Sequence, residues 1–512
     1  MPPSSPLPPV LSPKEIEVDS LNATLSQLAV ETQLIVTKRA QCLRRLNELS
    51  AATTILPSEM LSNIFEHVCS EPMSSPVALG AVCSYWRDVA WANPSLWNSF
   101  NAKFALGGPT IPRRTLDLLD LHFTNAKSIP VTVLFYDEPD VSCHSPPNQP
   151  SIPFQNLLEY IFRDNPQKLG GFVMDTITDA WWHFVCDLVQ PGFLTRLRRL
   201  ELGATPSSHH RHRPFFSVST LTKLSLHENV EIESFPWSQL THLELFGVDK
   251  DVCFSLLLQC TSLMEYRCHK PKITYSRNYA HLLDSNKVTF TRLHTLEWCF
   301  QDDEWSHFLL ASMAFPSLRH LHCSPRNSNV RGSSSFWRLM DNFIGSLTRL
   351  KTFHGDICFF WDAPKQCDHD DNAPFNEAFR SLDLEELHLQ HGDIRGLRFV
   401  FRQLSLADSP FLPRLRLISI EGKASRLDWC LNDPLVYAPF IDFLVTRRDG
   451  DHTKWKQNKR LEVVRFRRTF HFKGTFSEVF HQLPAAEVDI LKRLVEEGLH
   501  MEVVDTSGKS KA

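Results

Sequence analysis

The sequence predicts an α/β chain in which a long helix and a small all-α domain precede an irregular repeat of strands and helices. Three observations lead to this fold class. Apolar residues recur at steps of three and four near the N-terminus, two compact helical stripes follow, and a short strand motif then recurs from residue 197 to residue 466. Helical and strand periods therefore occupy successive parts of the chain.

The composition is that of a globular protein with nearly balanced charge. The chain has 512 residues, 42% of them hydrophobic, and its 54 basic and 58 acidic side chains give a net charge of −4. This balance provides no general attraction to nucleic acid or anionic membranes. The 13 cysteines are scattered without a C-x-x-C pair, which indicates reduced thiols. With no secretory signal and no long apolar run, we expect a cytoplasmic or nuclear protein whose residues 1–14 form a disordered proline-rich leader.

One long helix is predicted over residues 15–51. Its apolar positions alternate steps of four and three residues, which is the spacing of a heptad seam. Two seam positions, Thr32 and Arg39, are polar. The helix either packs along its own protein or self-associates as a coiled coil, and the sequence leaves both alternatives open. The seam comprises Leu21, Leu25, Leu28, Thr32, Ile35, Arg39, Cys42, Leu46 and Leu49.

A compact all-α domain is predicted at residues 52–100. Leu56-Pro57 begins the first helix, because proline suits the first helical position. Asn93-Pro94 ends the second helix, because the residue before proline is disfavoured in the α region. Each helix carries an apolar stripe at helical spacing. The stripes comprise Met60, Leu61, Ile64, Phe65 and Val68 in the first helix, and Leu79, Val82, Cys83, Trp86 and Val89 in the second.

These two stripes hold more apolar surface than so short a domain can bury by itself. One explanation is a partner protein that docks on the helices. The other is a helical hairpin buried against the rest of the chain. For Val68, Leu79 and Val89 we expect internal packing in either case. Residues 101–129 are predicted to be a linker into the repeats.

Residues 130–500 repeat one strand motif: an apolar residue, two others, an apolar residue, one other and a third apolar residue. The last two apolar positions share one face of a strand, and helical patterns lie between copies, as at residues 252–258, 305–313 and 336–347. Spacings of 19 to 46 residues predict an irregular leucine-rich-repeat-like solenoid, followed by a flexible tail at 501–512. The copies begin at Leu197, Leu221, Leu240, Leu263, Leu293, Leu318, Leu350, Leu384, Leu415 and Leu461.

The middle residue of each strand motif points away from the apolar anchors. If the strands line a concave face, these residues are exposed there, and such faces of solenoids commonly bind partners. These side chains are acidic, basic, imidazole and hydroxyl groups and indicate no particular ligand, so the substrate-binding residues stay unknown. The row comprises Glu201, Ser225, Glu244, Arg267, Glu297, His322, His388, Ser419 and Arg465.

No arrangement of residues indicates an enzyme, a metal site or a cofactor site. The chain lacks G-x-G-x-x-G, G-x-x-x-x-G-K, G-x-S-x-G and H-E-x-x-H, and has only 18 glycines. A cluster of metal-ligand residue types from His354 to Asp371 matches no familiar zinc spacing and is expected to be an acidic loop. The basic stretch from Arg447 to Lys473 is diluted by acidic residues, so nucleic acid is not an expected partner.

The all-α domain resembles an F-box. The resemblance covers 45 of the 512 residues, from Leu56 to Phe100, and Met60 stands where the family often has leucine. Together with the leading helix and the degenerate repeats, the chain is similar to the F-box proteins abundant in mushroom-forming fungi. The matching motifs are Leu56-Pro57, Ile64-Phe65, Val82-Cys83-x-x-Trp86-Arg87 and Leu96-Trp97.

The resemblance implies a substrate-recognition adaptor of an SCF (Skp1–cullin–F-box) ubiquitin ligase. In that family the F-box docks on Skp1, and through it on cullin, while the C-terminal repeats select a protein substrate. A leucine-rich-repeat scaffold outside any ligase is the alternative. Carried over by position, the Skp1-binding residues would be Leu56, Pro57, Met60, Leu61, Ile64, Phe65, Val82, Cys83 and Trp86.

Overall fold

The computed structural model divides into two compact units, which are described separately. The first comprises Met1–Ser145 and Ser151–Phe172, and the second Pro146–Pro150 and Val173–Ala512. The structure describes residues 13–50, 56–70, 75–104, 113–137, 152–176, 179–189, 192–204, 218–227, 235–272, 288–323, 333–356, 377–380, 382–390, 394–405, 411–423, 433–449, 460–469 and 483–505.

Helices dominate the first unit. It begins with α1 (Pro13–Ser50), close to the predicted bounds of the long helix. In the predicted all-α domain lie α2 (Ser58–Cys69), α3 (Pro76–Gly80), α4 (Ser84–Ala92) and a 3₁₀ turn at Pro94–Trp97. The unit continues with β1 (Ser99–Phe104), α5 (Arg113–Asn125), β2 (Val131–Asp137), α6 (Ile152–Glu159), a π-helical turn at Tyr160–Asp164 and a 3₁₀ turn at Pro166–Lys168. β1 and β2 are parallel, with Ser99 opposite Thr132.

Polar side chains cap the short helical elements. Ser75 Oγ accepts a hydrogen bond from the Val77 N–H at 3.3 Å, just before Pro76 in the first turn of α3. Asn93 is extended before proline, and its Oδ1 accepts from the Ser95 N–H at 3.1 Å. These caps satisfy N–H groups that a helix start leaves without partners. The helix ends therefore follow from the local sequence.

The second unit alternates strands with helices, and the boundary between the units falls within β3 (Leu169–Thr176). The helices are α7 (Asp179–Leu188), α8 (Lys250–Gln259), α9 (Glu304–Ser312), α10 (Ser334–Ser346), α11 (Glu377–Arg380), α12 (Ile394–Ser405), α13 (Pro434–Asp449) and α14 (Ala485–Glu496), with a 3₁₀ turn at Trp237–Gln239. The strands are β4 (Arg199–Ala204), β5 (Lys223–His227), β6 (His242–Phe246), β7 (Glu265–His269), β8 (Val288–Thr289), β9 (Thr295–Trp298), β10 (Met313–Ala314), β11 (His320–Cys323), β12 (Thr352–Asp356), β13 (Glu386–Gln390), β14 (Leu417–Lys423), β15 (Val463–Thr469) and β16 (His500–Asp505).

A parallel sheet runs through the second unit in chain order. β4, β5, β6, β7, β9, β11 and then β12 to β16 are successive neighbours, while β8 and β10 pair with each other. The register is constant, so Leu243 lies opposite Tyr266, and Tyr266 lies opposite Leu296. Equivalent positions of the strand motif therefore form continuous rows across the sheet.

A repeated backbone junction holds this register. Before each strand, one carbonyl accepts two hydrogen bonds from the next copy, as where Arg319 O binds the N–H groups of Lys351 at 2.8 Å and Thr352 at 2.9 Å. A carbonyl oxygen has two lone pairs and can serve both donors. The residue just before each such carbonyl is the fully buried first leucine of the motif. These double-accepting carbonyls belong to Arg198, Thr222, Thr241, Met264, His294, Arg319, Lys351, Glu385 and Arg416.

Aromatic contacts join the helices to the apolar anchors of the strands. The rings of Phe353 in β12 and Phe379 in α11 are 5.1 Å apart, and those of Phe440 in α13 and Phe466 in β15 are 6.1 Å apart. All four side chains are buried. The helices thus cover the apolar rows of the sheet, and the middle residues of the strand motifs lie in a separate, polar row.

The basic stretch from Arg447 begins with two buried arginines in the last turn of α13. Arg447 donates to Phe411 O, and burial lowers the pKa of Arg447 to about 10. Arg448 donates to Leu461 O at 3.1 Å and to Glu497 O at 2.5 Å. These two side chains tie α13 to neighbouring segments and present no surface to nucleic acid. Residues 450–459 lie outside the described part of the chain.

The structure differs from the predicted linker and tail. Residues 101–129 contain the end of β1 and all of α5, where Leu119 and Phe123 are buried. The tail prediction began at residue 501, but residues 500–505 form β16, which pairs with β15. The last strand was overlooked because Gly498, with a positive φ of 92°, stands where earlier copies have their first leucine.

Two further findings concern the residues that the structure describes. None of their helices combines the length and the apolar character that a membrane span requires. The cysteines among them are free thiols, and Cys83, Cys253, Cys260, Cys268, Cys299 and Cys323 are buried.

Candidate partner-binding sites

Helix α2 carries two apolar stripes that face in different directions. The inner stripe comprises Leu61 and Phe65, which are buried. The Phe65 ring lies 4.9 Å from the ring of Trp86 in α4, and the two planes are tilted by 59°. This pair fixes the orientation of α2 against α4, because tilted aromatic pairs of this kind add to the free energy of area burial.

The outer stripe remains exposed. Met60, Ile64 and Val68 follow at steps of four residues and are 52%, 45% and 37% exposed, respectively. Such steps place side chains on one face of a helix. We call these three residues the docking stripe. Pro57, at the start of α2, is also exposed, so the apolar surface extends to the N-terminal end of the helix.

The structure separates the nine predicted Skp1-binding residues into three groups. Pro57, Met60 and Ile64 are exposed, and Leu56, Val82 and Trp86 are partly exposed. Leu61, Phe65 and Cys83 are buried within the unit. The accessible apolar surface is therefore formed by fewer residues than the nine predicted. Leu61, Phe65 and Cys83 lie beneath that surface and pack within the unit. Val68, for which internal packing was expected, belongs to the exposed stripe, whereas Val89 is buried as expected.

Trp97 forms the centre of the core beneath these helices. Its side chain is fully buried, and its Nε1–H donates to Ala90 O at 2.9 Å. The ring meets Trp91 edge-on at 4.8 Å and His122 at 5.1 Å. Burial lowers the pKa of His122 to about 4, so its imidazole is neutral, and Nδ1 lies 3.2 Å from Trp97 O. This cluster ties α4 and the following turn to α5.

Two polar contacts position the segments that flank the docking stripe. Tyr85 Oη donates to Leu56 O at 2.9 Å, which holds the chain where it enters α2. Glu66 accepts from Ser95 Oγ at 2.6 Å and from Asn93 Nδ2 at 3.1 Å, and these hydrogen bonds lower the pKa of Glu66. Helix α2, which carries the docking stripe, is therefore held by hydrogen bonds both at its N-terminal end and at Glu66.

Substitution of Gly80 by alanine is expected to destabilise the first unit by about 1–3 kcal/mol, because a Cβ there would overlap the Trp91 ring. Chemical denaturation measures this change. Gly345→Ala is the control, since its Cβ would make only ordinary contacts, the nearest 3.5 Å from Ala378. That change should be neutral or slightly stabilising within α10. Equal stability of Gly80→Ala and the wild type would contradict the close approach of Trp91.

The polar row of the second unit is the other candidate surface. The strand register places its members opposite one another on consecutive strands, although Ser225, Glu297 and Ser419 are buried. His354 and Glu502 complete the row predicted from the sequence. From β4 to β16 the polar row comprises Glu201, Ser225, Glu244, Arg267, Glu297, His322, His354, His388, Ser419, Arg465 and Glu502.

Acidic and imidazole groups alternate beside the middle of the polar row. His269 follows the row member Arg267 by two residues on β7; its Nε2 lies 2.9 Å from Glu244, and its Nδ1 lies 2.7 Å from Glu297. Burial disfavours the imidazolium, but hydrogen bonds to both carboxylates outweigh burial and raise the pKa of His269 to about 9. Glu297 also meets His322 at 3.1 Å. Burial disfavours the ionised form of Glu297, but hydrogen bonds from His269 and His322 outweigh burial and lower the pKa of Glu297 to about 2.

Three histidines follow on β11, β12 and β13. The ring of His354 lies 4.4 Å from that of His322 and 4.6 Å from that of His388. Burial, followed by the neighbouring His322, His388 and Arg467, lowers the pKa of His354 to about 3. The described residues contain no group of three side chains arranged to hold a metal ion. Of the metal-ligand cluster considered in the sequence, Cys358, Cys367 and residues 368–371 lie outside the described part.

Acidification from pH 7 to pH 5 is expected to destabilise the second unit. The pKa of His354 is about 3 in the folded chain against 6.5 for an ordinary histidine, so the unfolded chain binds more protons between these values. The stabilisation from this group is complete above pH 6.5 and is lost as the pH falls toward 3, with about 2 kcal/mol lost by pH 5. Urea titrations at the two pH values measure the change.

The control variant is His354→Phe, which should lose less stability on acidification. An unchanged loss in this variant would contradict the assignment. His269 acts in the opposite direction because its pKa is raised to about 9. Its stabilisation is complete below pH 6.5 and is lost as the pH rises through 9. The two effects together place maximum stability near neutral pH.

The family comparison concerns the first of these two surfaces. Residues 53–103 match the family model for F-box-like domains. The chain contains an F-box-like domain. It encloses α2, α3 and α4 with the docking stripe, and F-box domains generally bind Skp1 within SCF complexes. No curated protein matches the chain.

Sequence reasoning located the F-box-like domain but missed details of both surfaces. Val68 was assigned to internal packing, although its spacing of four from Ile64 was a usable signal. His354 was left out of the polar row because its copy of the strand motif has Gly355 at the third apolar position. Leu350 and Phe353 do mark this copy, and the residue directly after Phe353 is the signal that could have placed His354 in the row.

Proposed function

We propose that this chain is the substrate-recognition adaptor of an SCF-type E3 ubiquitin ligase. The F-box-like domain binds Skp1 through the docking stripe, and the second unit holds a target protein. The observation that carries the proposal is an exposed apolar stripe on α2 inside the region that matches the F-box-like family. The chain itself acts as a non-catalytic adaptor in the cytoplasm or nucleus.

The docking stripe provides apolar surface for association. Full burial of a large apolar side chain contributes roughly 1.5–3 kcal/mol, and about a third to a half of each of Met60, Ile64 and Val68 is still exposed, so together they offset part of the cost of association. The inner stripe keeps α2 in place, so little ordering is needed on binding. These features support Skp1 as the partner at this end of the molecule.

The second unit has the character of an irregular leucine-rich repeat of the type that the fungal resemblance implies. The repeated backbone junction and the buried leucine in front of each strand support this assignment. The polar row is the surface proposed for the target. Once Skp1 and cullin are bound, ubiquitin transfer to the target is promoted by the high effective concentration within one assembly.

Co-expression of the full chain with Skp1, followed by addition of cullin, tests the proposal. We expect a stable complex with Skp1 that then recruits cullin. Failure to bind Skp1 would exclude the adaptor function. Binding of Skp1 without cullin would favour the alternative, a leucine-rich-repeat scaffold that uses Skp1 outside a ligase. The two outcomes are distinguished by size-exclusion chromatography of the three purified components.

A further inference from the structure

Helix α1 leaves an apolar face uncovered along most of its length. Val18, Leu21, Leu25, Leu28 and Ile35 are each more than half exposed. The helix has 38 residues and is therefore about 57 Å long. Its Asn47 Nδ2 donates to Val82 O at 3.1 Å, which fastens the C-terminal end of the helix to the F-box-like domain. A helix with so much exposed apolar surface is stabilised mainly by packing against a partner.

One set of exposed residues, at alternating steps of three and four, follows a heptad repeat that extends from Val18 to Leu49. Such a repeat lets two helices supercoil with the a and d side chains packed between them. The apolar members Val18, Leu21, Leu25, Leu28, Ile35, Leu46 and Leu49 are each more than half exposed. Position a is occupied by Val18, Leu25, Thr32, Arg39 and Leu46, and position d by Leu21, Leu28, Ile35, Cys42 and Leu49.

We propose that α1 pairs with α1 of a second copy of this chain to form an antiparallel two-stranded coiled coil. In the register that uses the whole seam, every a residue faces a d residue of the other helix. All facing residues then lie within the bounds of α1. The facing pairs are Val18 with Leu49, Leu21 with Leu46, Leu25 with Cys42, Leu28 with Arg39, and Thr32 with Ile35.

The polar residues of the seam decide the orientation. In a parallel, in-register pair, Arg39 would face Arg39 of the second copy in the core, and two like charges there are strongly unfavourable. In the antiparallel register, Arg39 faces Leu28 of the second copy. The long arginine stem can then pack on the leucine while its guanidinium reaches solvent. Thr32 likewise faces an isoleucine instead of a second threonine.

The flanking charges agree with the antiparallel register. Position g changes from acidic at Glu17 and Glu31 to basic at Lys38. Antiparallel pairing brings Glu31 beside Lys38 of the second copy, and symmetry produces this pair twice. Parallel pairing would place Glu31 beside Val36 and Lys38 beside Leu43, so neither charge would find a partner. Exposed ion pairs contribute little stability, but they discriminate between orientations.

The mass of the full chain in solution tests the pairing itself. We expect light scattering at micromolar concentration to give twice the mass of one chain. Leu21→Glu with Leu25→Glu should weaken the dimer at least about 100-fold and give monomers, because the two carboxylates would face Leu46 and Cys42 of the second copy without a positive partner. Val30→Glu is the control, since Val30 is an exposed apolar residue of the same helix outside the seam. A monomeric wild type, a tetramer, or equal loss of dimer in the control would overturn the proposal.

Cysteine cross-linking tests the orientation. Cys42 is exposed on the seam and faces Leu25 of the second copy in the antiparallel register. We expect diamide oxidation of Leu25→Cys to link residue 25 of one chain to Cys42 of the other, as identified by mass spectrometry of the linked peptides. Val18→Cys, also at position a, is the control and should not link to Cys42. A link between the two Cys42 residues in the wild type would establish a parallel pair and overturn the proposed orientation.

Discussion

A chain carrying Met60→Asp and Ile64→Asp is expected to bind Skp1 at least about 100-fold more weakly than the wild type. Both residues lie on the docking stripe, where they are 52% and 45% exposed. Because about half of each side chain is exposed, the substitutions disturb the folded chain less than substitution of the buried Leu61 or Phe65 would. Carboxylates at these positions would have to be desolvated in the interface, which adds to the lost apolar burial. Calorimetric titration with purified Skp1 measures the affinity.

Asn63→Asp provides the matched control for this prediction. Asn63 is exposed on α2 directly beside Ile64, so the substitution places a carboxylate on the same helix but off the docking stripe. We expect nearly normal affinity. Normal binding by Met60→Asp with Ile64→Asp would show that Skp1 binds elsewhere on the domain. Equal loss with Asn63→Asp would indicate a general effect of negative charge rather than loss of a specific face.

Trp97→Ala is expected to destabilise the first unit by about 3–5 kcal/mol. The substitution removes a fully buried indole, its edge-on contacts with Trp91 and His122, and the hydrogen bond to Ala90 O. An effect of this size is a large part of the stability of an ordinary domain. Chemical denaturation followed by circular dichroism measures the loss, and limited proteolysis should show early cleavage between residues 56 and 100.

Two variants define the origin of this loss. Trp97→Phe keeps an aromatic ring but leaves Ala90 O without its donor, so we expect a smaller loss of about 1–3 kcal/mol. Asn98→Ala changes an exposed neighbour and should have little effect. If Trp97→Ala were as stable as the wild type, Trp97 would not form the centre of the core. Loss of Skp1 binding by Trp97→Ala should accompany unfolding, whereas the docking-stripe variant should lose binding and remain folded.

The periodic parts of the molecule could be predicted from the sequence. The heptad seam indicated α1, and the spacing from Leu56 to Trp97 indicated the F-box-like domain. The leucine in front of each strand indicated β4 to β7, β9 and β11 to β15, but not the short strands β8 and β10. In these segments burial requires the same residue type at regular intervals, so one chain is enough to reveal the pattern. α5 is an exception, because its Leu119 and Phe123 were too few to stand out beside the repeats.

The face that α2 exposes could not be predicted. Met60, Leu61, Ile64 and Phe65 are all apolar, and helical spacing alone gives no reason to bury one pair and expose the other. The choice depends on the tertiary position of Trp86, which covers Phe65. The charge states of the polar row were equally inaccessible. The pKa of His269 is raised and that of His354 lowered because of neighbours on other strands, which only the register brings together.

The junction before each strand also bears on how such a chain can change over time. The hydrogen bonds that align neighbouring strands there use only main-chain atoms, so they do not depend on the length or composition of the segment between strands. Lengthening the spacing between successive copies from 19 to 46 residues costs only about 0.8 kcal/mol in loop-closure entropy. Insertions can therefore accumulate between copies while the strands keep their alignment. The connecting segments can thus diverge in length and composition while the polar row keeps its frame.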